Sequence, residues 1–150
     1  MPVISQKDQD LIRGLFEKEV AAPVNFVYFT QQRSPLSVPG HECQYCKETR
    51  EILEEVSSLS THLSLEVHDF VAEADLASEM GIPHIPAFEL KGKNKGRVRF
   101  FGIPAGYEFS SLIEDIVDVS KGETKLSAAT KAQLATLTTP VHIQVFITPT

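Results

Sequence analysis

Cys43-Gln44-Tyr45-Cys46 is the stretch on which this chain turns, because it holds both of its cysteines at the spacing of a redox pair. With two residues between them, both sulfurs share one helical turn and can close a small disulfide ring without moving the backbone. Upstream lies Val24-Asn25-Phe26-Val27-Tyr28-Phe29, a nearly continuous β-prone run of the kind expected for a central strand buried on both faces. Downstream, Ile52, Leu53, Val56, Leu59 and Leu63 mark one helical face, while Glu48, Glu51 and Glu54 point elsewhere. Strand, then CxxC, then helix is the setting in which two thiols become a reversible two-electron couple.

Outward from this stretch the chain reads as alternating elements. Ser5 is the N-cap of an amphipathic first helix, with Asp8 and Asp10 in its first turn and Leu11, Ile12, Leu15, Phe16 and Val20 at helical spacing. Residues 30–42 carry two prolines and a glycine and form a loop beside the cysteines. Residues 63–70 alternate with period two as a strand does, and 73–80 is a short helix stopped by Gly81. Residues 87–90 and 97–101 pair as a hairpin across the Lys- and Gly-rich turn 91–96, and a helix follows over about 107–119. Phe88, Phe100, Phe101 and Phe109 are assigned to the core.

Composition narrows the function. With 150 residues, 42% of them apolar, the chain can bury one real core, with room for part of a second unit. A net charge of −6 without a basic or acidic block offers no footprint for nucleic acid or an anionic membrane. The N-terminus lacks a basic region followed by an apolar run, and no window approaches the roughly 18 apolar residues of a membrane span. A cytoplasmic protein is expected, and in a reducing compartment two cysteines serve catalysis or metal binding rather than a structural staple.

The element order, with CxxC opening the second helix, resembles the thioredoxin fold, an α/β architecture with a central mixed sheet flanked by helices, here with an extra N-terminal helix. Gly81-Ile82-Pro83-His84-Ile85-Pro86-Ala87-Phe88 is similar to the segment in which thioredoxin-like proteins carry a cis-proline facing the active-site pair. The resemblance therefore implies a cis bond at Pro86 and leaves Pro83 an ordinary turn residue. Phe101-Gly102-Ile103-Pro104-Ala105-Gly106-Tyr107-Glu108-Phe109, then Glu114-Asp115-Ile116-Val117-Asp118-Val119-Ser120, resembles the amino-terminal unit of the glutaredoxin-like protein disulfide oxidoreductases of archaea and bacteria, and the CQYC motif fits the same family. Those proteins join two thioredoxin-fold units in one chain, each commonly with its own CxxC. Val145-Phe146-Ile147-Thr148 echoes Val27-Tyr28-Phe29-Thr30 in type. The expected organisation is thus a thioredoxin/glutaredoxin-like domain over 1–122, with 123–150 a linker helix and the first strand of a truncated second unit. A lone apolar strand at 141–147 leaves an open edge, so it is expected to add to a sheet, within the chain or in a homodimer.

A cysteine at a helix N-terminus is stabilised as the attacking thiolate by free N–H groups and the helix dipole, which makes Cys43 the nucleophile and Cys46, further inside the first turn, the resolving thiol. His41 is a candidate for lowering the Cys43 pKa. Tyr45 is expected to pack over the motif. Thioredoxins place a buried Asp in the strand before the motif, which 24–29 lacks, so Glu55, at the edge of the apolar arc of Ile52, Val56 and Leu59, is the substitute base for Cys46. The resemblance implies that the backbone of Ile85, before Pro86, pairs with an extended substrate segment. It also implies that no cofactor is needed beyond the redox-active disulfide, and that the partners are protein disulfides or dithiols and a thioredoxin reductase-like flavoprotein. Two other classes stay open: a zinc or iron-sulfur site built on His41, Cys43 and Cys46, and a redox-inert interaction module. Gly102-Ile103-Pro104-Ala105-Gly106 is not the Gly-Gly-Asp type segment of glutathione-dependent glutaredoxins.

Overall fold

The computed structural model describes residues 3–31 and 43–147. Its first helix, α1 (Gln6–Glu19), starts where expected: the Ser5 hydroxyl accepts the Asp8 N–H at 3.2 Å, and Ile12 and Phe16 turn inward. β1 (Val24–Thr30) is buried along nearly its whole length, as its apolar run requires. α2 (Cys46–Ser58) crosses over to β2 (Leu63–Asp69), so that β1 and β2 lie parallel, from Val24 against Leu63 to Thr30 against Asp69. α3 (Ala74–Glu79) ends at Gly81, whose φ of 64° suits glycine. β3 (Ala87–Lys91) then runs antiparallel to β1 and forms the expected hairpin with β4 (Val98–Phe101). The four strands make one mixed sheet in the order β2-β1-β3-β4.

Strand periodicity divides the core between the two sheet faces. Phe26, Tyr28, Phe88 and Leu90 face α1, α2 and α4 (Tyr107–Lys121), where they meet Phe16, Ile52, Leu53, Val56, Leu112 and Ile116. Val27, Phe29 and Ala87 face the other way, onto Ala77, Met80 and Ile82. α4 runs two residues beyond its expected end and stops at Gly122, in the left-handed conformation with φ 68°; a Cβ there would lie 2.7 Å from the Lys93 carbonyl oxygen.

Two expectations need correction, and a third is not met within the single chain. Phe101, assigned to the core, is 42% exposed at the end of β4, where its ring lies 4.8 Å from that of His84. Leu11 and Leu15 of α1 are also exposed, because Ile12 and Phe16 alone supply the inward stripe. The strand expected at 141–147 does not form in the single chain: these residues carry no regular element, and Phe146 is 88% exposed. β-propensity makes a strand only where a neighbour takes up the backbone N–H and C=O groups, and neither free sheet edge receives this segment. The preceding helix, α5 (Ala128–Ala135), forms but buries none of its residues.

Candidate active site

The two cysteines are joined as a disulfide, with Cα atoms 5.5 Å apart, at the start of α2. Cys46 is the first residue of the helix and is 4% exposed, whereas Cys43, in the turn before it, is half-buried. β1 holds both from below. The Tyr28 hydroxyl donates to the Cys46 carbonyl oxygen at 2.7 Å, and the Cys43 N–H donates to Oε1 of Gln31, just past the strand, at 2.8 Å. Burial pushes the Tyr28 phenol up to about 12, with a smaller opposing hydrogen bond to Thr30, so it remains a neutral donor throughout the physiological range. Sequence reasoning did not single out Tyr28 or Gln31. The signal for Tyr28 was a polar-tipped ring inside a strand that buries both faces, since such a hydroxyl needs a partner.

The Ile85–Pro86 bond is cis, as the resemblance implies. Pro86 is buried and immediately precedes Ala87, which pairs with Phe29 near the end of β1, so the sheet carries the cis bond and the disulfide to the same end. The Gly102 N–H donates to the Pro86 carbonyl oxygen at 2.9 Å and fixes the turn from the β4 side. Ile85 is half-buried against the Ala77, Met80 and Ile82 cluster and lies outside the β3 ladder. Tyr45, the N-cap residue of α2, is 45% exposed and stands beside the motif at the surface.

Glu55 does not join this constellation. It lies nine residues beyond Cys46 on the same helix, a rise of about 13 Å at ~1.5 Å per residue. Its carboxylate accepts the Val3 and Ile4 N–H groups, at 2.5 and 2.9 Å, and so fastens the N-terminal segment to α2. The expected base is a structural anchor. Glu55→Ala is accordingly expected to lower stability by about 1–2 kcal/mol, the usual cost of losing hydrogen bonds to a charged acceptor at a partly open site. A urea titration of the oxidised chain measures that loss, and the rate at which the reduced chain's thiols are alkylated should stay unchanged.

Two other carboxylates at this end of the sheet are likewise occupied. Asp69 closes the turn into α3 by accepting the Val71 and Ala72 N–H groups at 3.0 and 2.7 Å. Glu73 sits 2.7 Å from Nδ1 of His68, whose ring stacks on Phe29, and the hydrogen bond from that imidazole holds the Glu73 carboxyl below its ordinary range. Glu89, buried on the α3 side of β3, is paired with Arg99 at 2.9 Å. His41 lies outside the described residues. Among the described residues no three His, Cys, Asp or Glu side chains are placed to hold a metal ion, and no helix is long and apolar enough to cross a membrane.

The mixed four-strand sheet with its flanking helices has counterparts among solved structures. A protein disulfide oxidoreductase from Aeropyrum pernix superposes with a TM-score of 0.72 at 26% identity, over 89% of this chain and 55% of that one. The chain has the thioredoxin fold. The F component of alkylhydroperoxide reductase from Enterococcus faecalis shares this thioredoxin-fold arrangement with the same TM-score at 20% identity, over 89% and 61% of the two chains. Among curated proteins, the F component of alkyl hydroperoxide reductase from Staphylococcus aureus is 34% identical over 106 residues, which is 69% of this chain. Its Staphylococcus epidermidis counterpart is 29% identical over 105 residues. The chain spans about 18% of the length of these curated relatives. No family model matches it.

Proposed function

We propose that this thioredoxin-fold chain is a thiol-disulfide oxidoreductase that works through Cys43 and Cys46. The observation that carries the reading is the disulfide itself, half-buried at Cys43 and covered at Cys46, at the start of a helix and at the same sheet end as the cis-proline. In the reductive direction the Cys43 thiolate attacks one sulfur of a partner disulfide; a Cys43–partner bond forms and the partner's second sulfur leaves as a thiolate. Cys46, losing its proton to solvent, then attacks the Cys43 sulfur, which closes the Cys43–Cys46 disulfide and releases the partner as a dithiol. Two electrons pass from the Cys43/Cys46 pair to the partner, and a donor dithiol returns them by the reverse exchange.

The unequal exposure of the two cysteines supports the division of labour, since an external disulfide approaches Cys43 before Cys46. The helix N-terminus supplies the stabilisation of the attacking thiolate. The backbone of Ile85, before the cis bond to Pro86, is assigned the pairing with an extended partner segment, with Tyr45 at its border. Glu55 has no part in the proposed proton path, which runs to solvent. The likeness to the F component of alkyl hydroperoxide reductase supports a flavoprotein reductase region as the electron donor and a peroxiredoxin-type disulfide as one acceptor.

The experiment is catalysed reduction of insulin by dithiothreitol, followed as turbidity. The wild-type chain should accelerate precipitation over dithiothreitol alone, and Cys43→Ser should return it to that background. Equal acceleration by Cys43→Ser would reject the proposal.

A further inference from the structure

Thr49 is wholly buried on α2, and its hydroxyl has no hydrogen-bond partner among the described residues. A buried hydroxyl without a partner is costly and calls for an explanation. A threonine within a helix has a ready acceptor in the carbonyl four residues earlier, here that of Tyr45, which already takes the Thr49 N–H at 3.0 Å. The Thr49 hydroxyl leaves that acceptor unused. Helical side chains lean toward the preceding turn, and residues three apart are neighbours on the helix surface. Thr49 therefore leans toward Cys46, with which it shares the buried face continued by Ile52, Leu53 and Val56.

In the oxidised chain the disulfide holds the Cys46 sulfur out of hydrogen-bond reach of the Thr49 hydroxyl. Once the disulfide opens, the same sulfur becomes a thiol or thiolate inside a buried site, where an anion needs a hydrogen bond. We infer that Thr49 is the positioning residue of the resolving step: its hydroxyl donates to Cys46 Sγ when the disulfide is reduced. The inference rests on the redox reading proposed above. No protein bond changes besides those of the disulfide exchange; the Thr49 O–H stays intact and only its hydrogen-bond partner is gained. The titratable groups around the site do not compete for this role. Lys47, Glu48 and Arg50 are exposed on α2, and the Tyr28 hydroxyl beneath is committed to the Cys46 carbonyl.

The orphaned state of the oxidised form and the paired state of the reduced form give Thr49→Val opposite effects in the two. Valine fills the same space without a hydroxyl to strand, so the oxidised variant should melt at or above the wild type. The reduced variant loses the donor, so its dithiol/disulfide equilibrium constant should fall about tenfold, which is ~30 mV more negative. In a Cys43→Ser background the Cys46 thiolate is read by its ultraviolet absorbance against pH. Adding Thr49→Val to that background should raise its titration by about one unit, one unit being a tenfold change. Thr49→Ser, which keeps the hydroxyl, should restore both values.

The measurements are made on wild type, Thr49→Val and Thr49→Ser in one series of glutathione buffers. An unchanged potential and an unchanged Cys46 titration in Thr49→Val would overturn the inference. So would an oxidised Thr49→Val that fails to fold, or a Thr49→Ser that behaves as Thr49→Val does. A wild-type chain without a reversible transition in those buffers would instead overturn the redox reading beneath it.

Discussion

Cys46→Ser is expected to accumulate as a covalent adduct with a protein disulfide substrate, linked through Cys43. The half-buried cysteine and the covered one perform successive displacements, and removal of the second leaves the first complete. A serine hydroxyl at position 46 is far too weakly acidic to attack the Cys43–partner bond, so the intermediate persists until an external thiol cleaves it. Non-reducing electrophoresis and intact mass should show the adduct at the summed mass of chain and partner, lost on addition of dithiothreitol. Cys43→Ser should give none, since the remaining thiol is 4% exposed. The two residues act as a unit, so the double variant should be no less active than Cys43→Ser alone. Adducts forming through Cys46 instead would reverse the assignment of roles.

The second large effect concerns Tyr28 and alkaline pH. At neutral pH Tyr28→Phe removes the donor to the Cys46 carbonyl and should cost about 1–2 kcal/mol, a typical net value for a buried hydrogen bond. The folded-state pKa is raised, to about 12 from an ordinary 10, because burial penalises the phenolate. A raised value means that the folded state binds the proton more tightly than the unfolded one. The stability it represents is therefore complete below pH 10 and is lost as pH climbs through 12, in total about 3 kcal/mol for two units. Phenylalanine has no such titration. Urea midpoints taken at steps from pH 9 to 12 should show the advantage of wild type over Tyr28→Phe shrinking and then reversing, with lysine titration common to both chains. A constant gap across the range would mean that the phenol is not shielded as described.

How far such features could be read beforehand depended on what kind of information each needed. The helix starting at Ser5, the two-face burial of β1, the parallel pairing through α2 and the hairpin all follow from periodicity and turn residues, which are local. The resemblance supplied the cis bond at Pro86, which no pattern of side chains announces. Glu55 was misjudged because a helical wheel gives an angle and discards the distance along the axis; its angle toward the apolar arc is fair, but it lies two and a half turns from the sulfur it was meant to serve. Its true partners, the N–H groups of Val3 and Ile4, are brought there by the chain's N-terminal segment, more than fifty residues away in sequence.

Tyr28 and Thr49 were hidden for a related reason. Each looked like an ordinary member of its element, and its meaning lies in a single polar atom. Position 28 reads as strand core, and position 49 lies on the buried face of α2. Only the assembled site shows that one hydroxyl is tied to Cys46 and that the other is left without a partner among the described residues. Residues 141–147 illustrate the converse, since strong β-propensity there finds no neighbour in the single chain and yields no strand.

The most direct test of the account is the equilibrium between dithiol and disulfide forms of Cys43 and Cys46 in glutathione buffers of graded potential, with thiols trapped by alkylation and counted by intact mass. The account predicts one reversible two-electron transition in which both thiols appear and disappear together. A pair that cannot be cycled between the two forms, or that reacts with the alkylating agent only after treatment with a chelator, would contradict it.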